Sequence, residues 1–145
     1  MLYTHDRAII LNDLANTYAI QMRYTKAIER YHEALALYLH LAKDEPLVYS
    51  IHIAHIFSNL SIIYLNLNQK EKSTELHANA LKVHRALARQ NFQKYAIGCA
   101  CCIIDGVDYL NEHSLMLYEA EIILKRFHGN CQVEELLESI EVLRT

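Results

Sequence analysis

A chain of 145 residues that is 52% apolar is long enough to bury one sizeable core. Its formal charge of −3 is small, and acids and bases are interspersed. That pattern argues against the basic footprint of a nucleic-acid binder and the polybasic segment of a membrane-surface protein.

With three glycines and one proline, the chain has few breakers, and helices joined by short turns are expected. Met1–His5 reads as a frayed lead-in, with Asp6 as the cap of a first helix running to about Met22. After a turn at Arg23–Thr25, a second helix runs from Lys26 to Lys43. Its apolar positions Ala27, Ile28, Tyr31, Ala34, Leu35, Tyr38 and Leu41 keep a helical period. Pro46 opens the third helix at its first turn, which continues to about Leu65, and the fourth covers Lys70–Arg89. The fifth covers Tyr95–Leu110, Asn111–Ser114 turns, and the sixth covers Leu115–Phe127. Gly129 is placed to take the left-handed conformation that closes a helix. The last helix, Gln132–Leu143, sets Val133, Leu136, Leu137, Ile140 and Leu143 on one stripe, opposite Glu134, Glu135, Glu138 and Glu141.

Asp6 and Arg7 interrupt the early apolar run, so no signal peptide is read. The longest apolar runs fall short of a membrane span. Cys99, Cys101, Cys102 and Cys131 do not form a disulfide framework, because three of them lie within one helical turn and point in different directions. A reducing, cytoplasmic setting is the expectation.

The helix pairs repeat. A small residue falls at Ala15, Ser61 and Gly106, and a tyrosine three positions later at Tyr18, Tyr64 and Tyr109. In the second helix of each pair, Ala27, Ser73 and Ala120 correspond. Ala34 and Ala80 match, with Phe127 in the third copy, and Tyr49 and Tyr95 each open a helix. The copies span about 6–43, 47–89 and 93–128, a period that means a stacked repeat architecture in one domain, 1–145.

The pattern L-[AS]-x-x-Y, then Ala or Ser, then Ala seven later, resembles the tetratricopeptide repeat. The copies exceed the usual 34 residues by about twelve, which is similar to the long-helix variety of kinesin light chains. The resemblance implies an all-α, right-handed superhelical solenoid of three antiparallel hairpins. The helix at 132–143 would cap its exposed end, or open an incomplete fourth repeat. The third copy is degraded, with Asp105 where Leu is usual and Phe127 where a small residue is usual. Looser packing, or a different neighbour, is expected there.

The resemblance also implies a concave groove lined by the first helix of each pair. Its residues would be Ile9, Asn12, Asn16 and Ala19, then His55, Ser58, Asn59, Ile62 and Leu65. In the third copy they would be Ala100, Ile103, Val107 and Leu110. Asn carries both a donor and an acceptor, so Asn12, Asn16 and Asn59 suit the backbone of an extended peptide, leading to an apolar pocket at Ile103 and Val107. The bland alternative is that these amides are merely solvated. No Lys or Arg falls on these positions, which argues against a grip on a terminal carboxylate. A peptide or protein segment is the expected partner. A homodimer burying Ile103 and Val107 is the alternative.

No cofactor, metal or catalytic role is expected. The nine histidines have no zinc-site spacing, and His77, Cys99 and Cys102 read as packing residues. No phosphate loop or nucleophile motif is present, and Asp105 and Asp108 read as solvated carboxylates.

Overall fold

The computed structural model describes residues 2–110 and 115–145. Among these, seven α-helices and no strand are found: α1 (Leu2–Ile20), α2 (Tyr24–Leu41), α3 (Pro46–Asn66), α4 (Lys70–Gln90), α5 (Phe92–Leu110), α6 (Met116–Leu124) and α7 (Cys131–Arg144). The turn expected at Asn111–Ser114 lies outside the described residues. The chain divides into two compact units, Met1–Val83 and His84–Thr145.

In the first unit, α1 and α2 pack as an antiparallel hairpin and α3 packs on α2. Ala8, Leu11 and Ala15 of α1 meet Ala27, Tyr31, Ala34 and Tyr38 of α2, and Ile53, Ile56, Leu60 and Ile63 of α3 complete the same core. The spacing of three and four explains why one face of each helix is buried. Ile56 and Leu60 are fully buried, each a gain of about 1.5–3 kcal/mol over exposure.

Small residues set how closely the hairpins pack. Ala15 and Ala27 are both 0% exposed in copy one. Their counterparts are buried Ser61 and Ser73, whose hydroxyls each donate to the other's backbone carbonyl, at 2.8 and 2.7 Å. Two polar groups are thereby buried without being orphaned.

The turns repeat as faithfully as the helices. Met22 and Asn68 both take a left-handed backbone, with φ of 57° and 58°. At each, two bonds close the preceding helix. Met22 N–H donates to the Ala19 carbonyl and Arg23 N–H to that of Tyr18; Asn68 N–H donates to Leu65 and Gln69 N–H to Tyr64. This is the Schellman closure, in which the residue in the left-handed region is usually glycine. Lys26 and Lys72 correspond in the same way, their ammonium groups lying over the rings of Tyr18 and Tyr64.

Several expectations are corrected. α1 begins at Leu2, so the stretch expected to fray is helical from Leu2 onward, and Asp6 lies inside α1 rather than capping it. Leu14, the leucine that opens the repeat pattern in copy one, is 37% exposed. α3 is long and apolar enough to cross a bilayer by length and composition. It lacks Asp, Glu, Lys and Arg, and His, Ser and Asn only interrupt its apolar pattern. Its apolar face is occupied by the core of the first unit.

In the second unit, α5 and α6 form the third hairpin, and α7 packs on both. Leu117, Ala120 and Leu124 of α6 are fully buried, as is Ile140 of α7. Asn130 caps α7, its side chain accepting from Gln132 N–H at 3.0 Å. Gly129 takes φ 76° as expected. Arg144 ties α7 to α6: it donates to Glu121 at 2.5 Å and lies over the Tyr118 ring. With Lys125 also bonded to it, Glu121 is held below the usual carboxylate range. The third copy departs from the pattern of the first two. Tyr109 is 57% exposed, where Tyr64 is buried, and α6 ends at Leu124, short of Phe127.

Candidate functional site

Six of the expected groove residues lie on α1 and α3 of the first unit. Asn12 and Asn16 lie one turn apart on α1, both half-buried, and Ser58 and Asn59 are half-buried on α3. Ile62 is 48% exposed. His55, also on α3, is exposed.

A hydrogen-bond network fixes the two central amides. Tyr31, buried in the hairpin, donates its hydroxyl to Asn16 Oδ1 at 2.5 Å. Asn59 Nδ2 donates to the same oxygen at 3.3 Å. One carbonyl oxygen thus accepts from both α2 and α3. Burial pushes the Tyr31 hydroxyl up to about 12, so it stays protonated and keeps donating at any physiological pH. This settles how Asn16 presents itself. Its oxygen is committed inward, and its NH2 donors stand outside this network. Asn59 has the opposite surplus, because its NH2 bonds to Asn16 and its carbonyl is the group left over.

Asn12 is different. Its Oδ1 is buried and has no hydrogen-bond partner among the described residues. A buried, unpaired carbonyl costs about 1–3 kcal/mol, so this oxygen favours any incoming N–H donor.

Aromatic rings flank the amides. His52 stacks on Tyr38 with centroids 4.8 Å apart and planes at 9°. His5 meets the Tyr49 ring edge-on at 5.5 Å. Burial first, and then the charge of His55 and His5, lowers His52 below its ordinary 6.5. His52 is therefore uncharged at neutral pH.

Ile103 and Val107 offer almost no accessible surface. They lie in the other unit and are 0% and 7% exposed. A ligand pocket or dimer face needs accessible apolar surface, and these two side chains are already buried, as are Ala100 and Leu110. The sequence pattern placed them by analogy with the first two copies, and the third copy does not keep that register of exposure. Tyr31 was missed in the other direction. It reads as core from its spacing, and it is core, yet its hydroxyl orients Asn16. The signal was weak: a hydroxyl on an otherwise apolar stripe needs a buried partner.

Among the described residues no group of three or more His, Cys, Asp or Glu could hold a metal. All four cysteines are free, Cys99 and Cys102 buried and Cys131 exposed. Burial pushes the Cys99 thiol up to about 11, away from nucleophilic use.

Helix hairpins recurring with small residues at their crossings, and closed by the same turn, define a helical-repeat protein. A family model for the tetratricopeptide repeat matches residues 7–45 and 53–88, just over half of the chain. The chain belongs to the tetratricopeptide repeat family, in the long-repeat variety of the kinesin light chain kind. Repeats of this family generally mediate protein–protein interaction. A comparison with curated proteins found no match.

Proposed function

We propose that the α1–α3 side of the first unit binds an extended peptide segment of a protein partner through its backbone. The observation that carries this reading is the unpaired, buried Oδ1 of Asn12 one turn from the oriented Asn16–Asn59 pair. Positions four apart on a helix are separated by about 6 Å along its axis. Like-facing groups of an extended chain recur about every 6.8 Å. A ligand N–H donates to Asn12 Oδ1, and the ligand carbonyl two residues on accepts from the Asn16 NH2. Asn59 Oδ1 takes a further N–H. Ile62 supplies apolar contact beside the clamp. Tyr31 holds Asn16 in place before the ligand arrives, so binding does not have to order it.

The test separates binding from folding. A peptide is selected on the intact chain from an unbiased library. Asn12→Ala and Asn59→Ala should each weaken it about tenfold, the effect of one lost hydrogen bond to a buried group. Asn12→Ala should also leave the fold equally or more stable, because it removes an orphaned carbonyl. N-methylation of the contacting ligand amide should abolish binding. Selected peptides that bind both variants as tightly as the parent would sink the clamp.

A further inference from the structure

A second feature lies in the other unit. The last turns of α4, the start of α5 and the middle of α6 enclose a cleft of about 460 Å³, lined by Arg85, Ala88, Arg89, Phe92, Cys99, Glu119 and Ile123. That volume falls within the range of natural ligand sites. Its floor is apolar: Ala88, Ile123, the Phe92 ring and the buried Cys99.

The charges around it do not balance. The cleft's one carboxylate, Glu119, is already held by Arg85 in a two-point pair, Nε to Oε1 at 3.1 Å and Nη2 to Oε2 at 2.6 Å. Two further arginines, Arg89 and Arg126, stand outside that pair. Arg89 lines the cleft, is exposed, and has no acidic partner among the described residues. Arg126 lies 4.7 Å from the centroid of Phe92, and its guanidinium has no acidic partner among the described residues. Phe92 is itself held in place by stacking on Phe127 at 5.6 Å. The result is a rigid aromatic wall and an apolar floor, with two uncompensated positive charges beside it.

We infer that this cleft is a second docking site, and that it takes an acidic segment of a protein partner carrying an aliphatic side chain. The aliphatic group enters between Phe92 and Ile123 above Cys99. Neighbouring carboxylates meet Arg89 and Arg126, whose planar forks suit them. A basic segment would meet like charge, because Glu119 is already neutralised. The Arg85–Glu119 pair acts as a wall rather than as a ligand group.

The probe is a fluorescein-labelled dodecapeptide of alternating Glu and Leu, with the Lys–Leu peptide as its charge-reversed control. Anisotropy is read on the intact chain at about 50 and about 300 mM salt. The acidic peptide should bind and the basic one should not, with affinity falling as salt rises. Arg89→Ala should weaken binding about fivefold and the Arg89→Glu/Arg126→Glu pair about twentyfold or more. Both positions are exposed, and unchanged circular dichroism confirms folding. Asn59→Ala should have no effect, which keeps this site distinct from the amide clamp. The inference is overturned if no acidic peptide binds at about 1 mM, a level at which even weak contacts register. It is equally overturned if both peptides bind alike, or if binding survives charge reversal, or if it responds to Asn59→Ala instead.

Discussion

The Asn16–Tyr31 bond is the most exposed point of the proposed clamp, because the orientation of Asn16 depends on it. Asn16→Ala removes the acceptor of a hydroxyl whose residue is 1% exposed. An orphaned buried hydroxyl costs about 1–3 kcal/mol. Ala recovers about 0.5 kcal/mol of helix propensity, so a net loss of about 1–2 kcal/mol is expected. Tyr31→Phe keeps the ring in the core and loses only the bond, about 1 kcal/mol. The Asn16 oxygen still accepts from Asn59. In the double variant no hydroxyl remains to be orphaned. Its loss should be about 0.5–1 kcal/mol, well below the sum of the singles. The coupling is then about 1–2.5 kcal/mol. Urea unfolding followed by far-ultraviolet circular dichroism measures it, and the chain has no tryptophan to offer as an alternative probe. If the two substitutions add to within about 0.3 kcal/mol, the bond does not orient Asn16 and the preorganised clamp fails with it.

Two other predictions concern the turns and the histidines. Met22 and Asn68 hold φ of 57° and 58°, which costs a non-glycine residue about 1 kcal/mol. Met22 is 75% exposed, so Met22→Gly loses little packing. It should raise stability by about 0.5–1 kcal/mol, and Asn68→Gly by less, since Asn tolerates this conformation better; a fall in the thermal midpoint for Met22→Gly would contradict the Schellman closure. His52 is depressed below 6.5 by burial, then by His55 and His5. The unfolded chain therefore takes up a proton before the native state does. Stability should hold above about pH 6.5 and fall as the pH drops below it. His52→Gln should flatten that slope in urea titrations, whereas a slope of the opposite sign would overturn the reading.

The two kinds of information divide along physical lines. The hairpin helices, the small residues at 15, 61 and 106, and the stripe of α7 were legible because helical periodicity and a repeat near 46 residues are one-dimensional properties. The turn at Gly129 was equally local. The left-handed turns were not read, since neither Met22 nor Asn68 is a glycine. Their closure appears only in backbone bonds to Tyr18 and Tyr64.

Exposure was the harder matter. The sequence placed Asn12, Asn16 and Asn59 together but could not tell which of their groups were already engaged. That depended on Tyr31 arriving from another helix. It placed Ile103 and Val107 on a binding surface by register, and their burial shows that register within a helix does not decide what packs on it. Arg89, Phe92 and Arg126 carried no signature at all, being ordinary helix-end residues until three helices bring them around one cleft. Pattern along the chain therefore determined the repeat and its family. Only the packing of separate helices decided which polar groups are left over for a partner, because hydrogen bonds and ion pairs between them are settled in three dimensions.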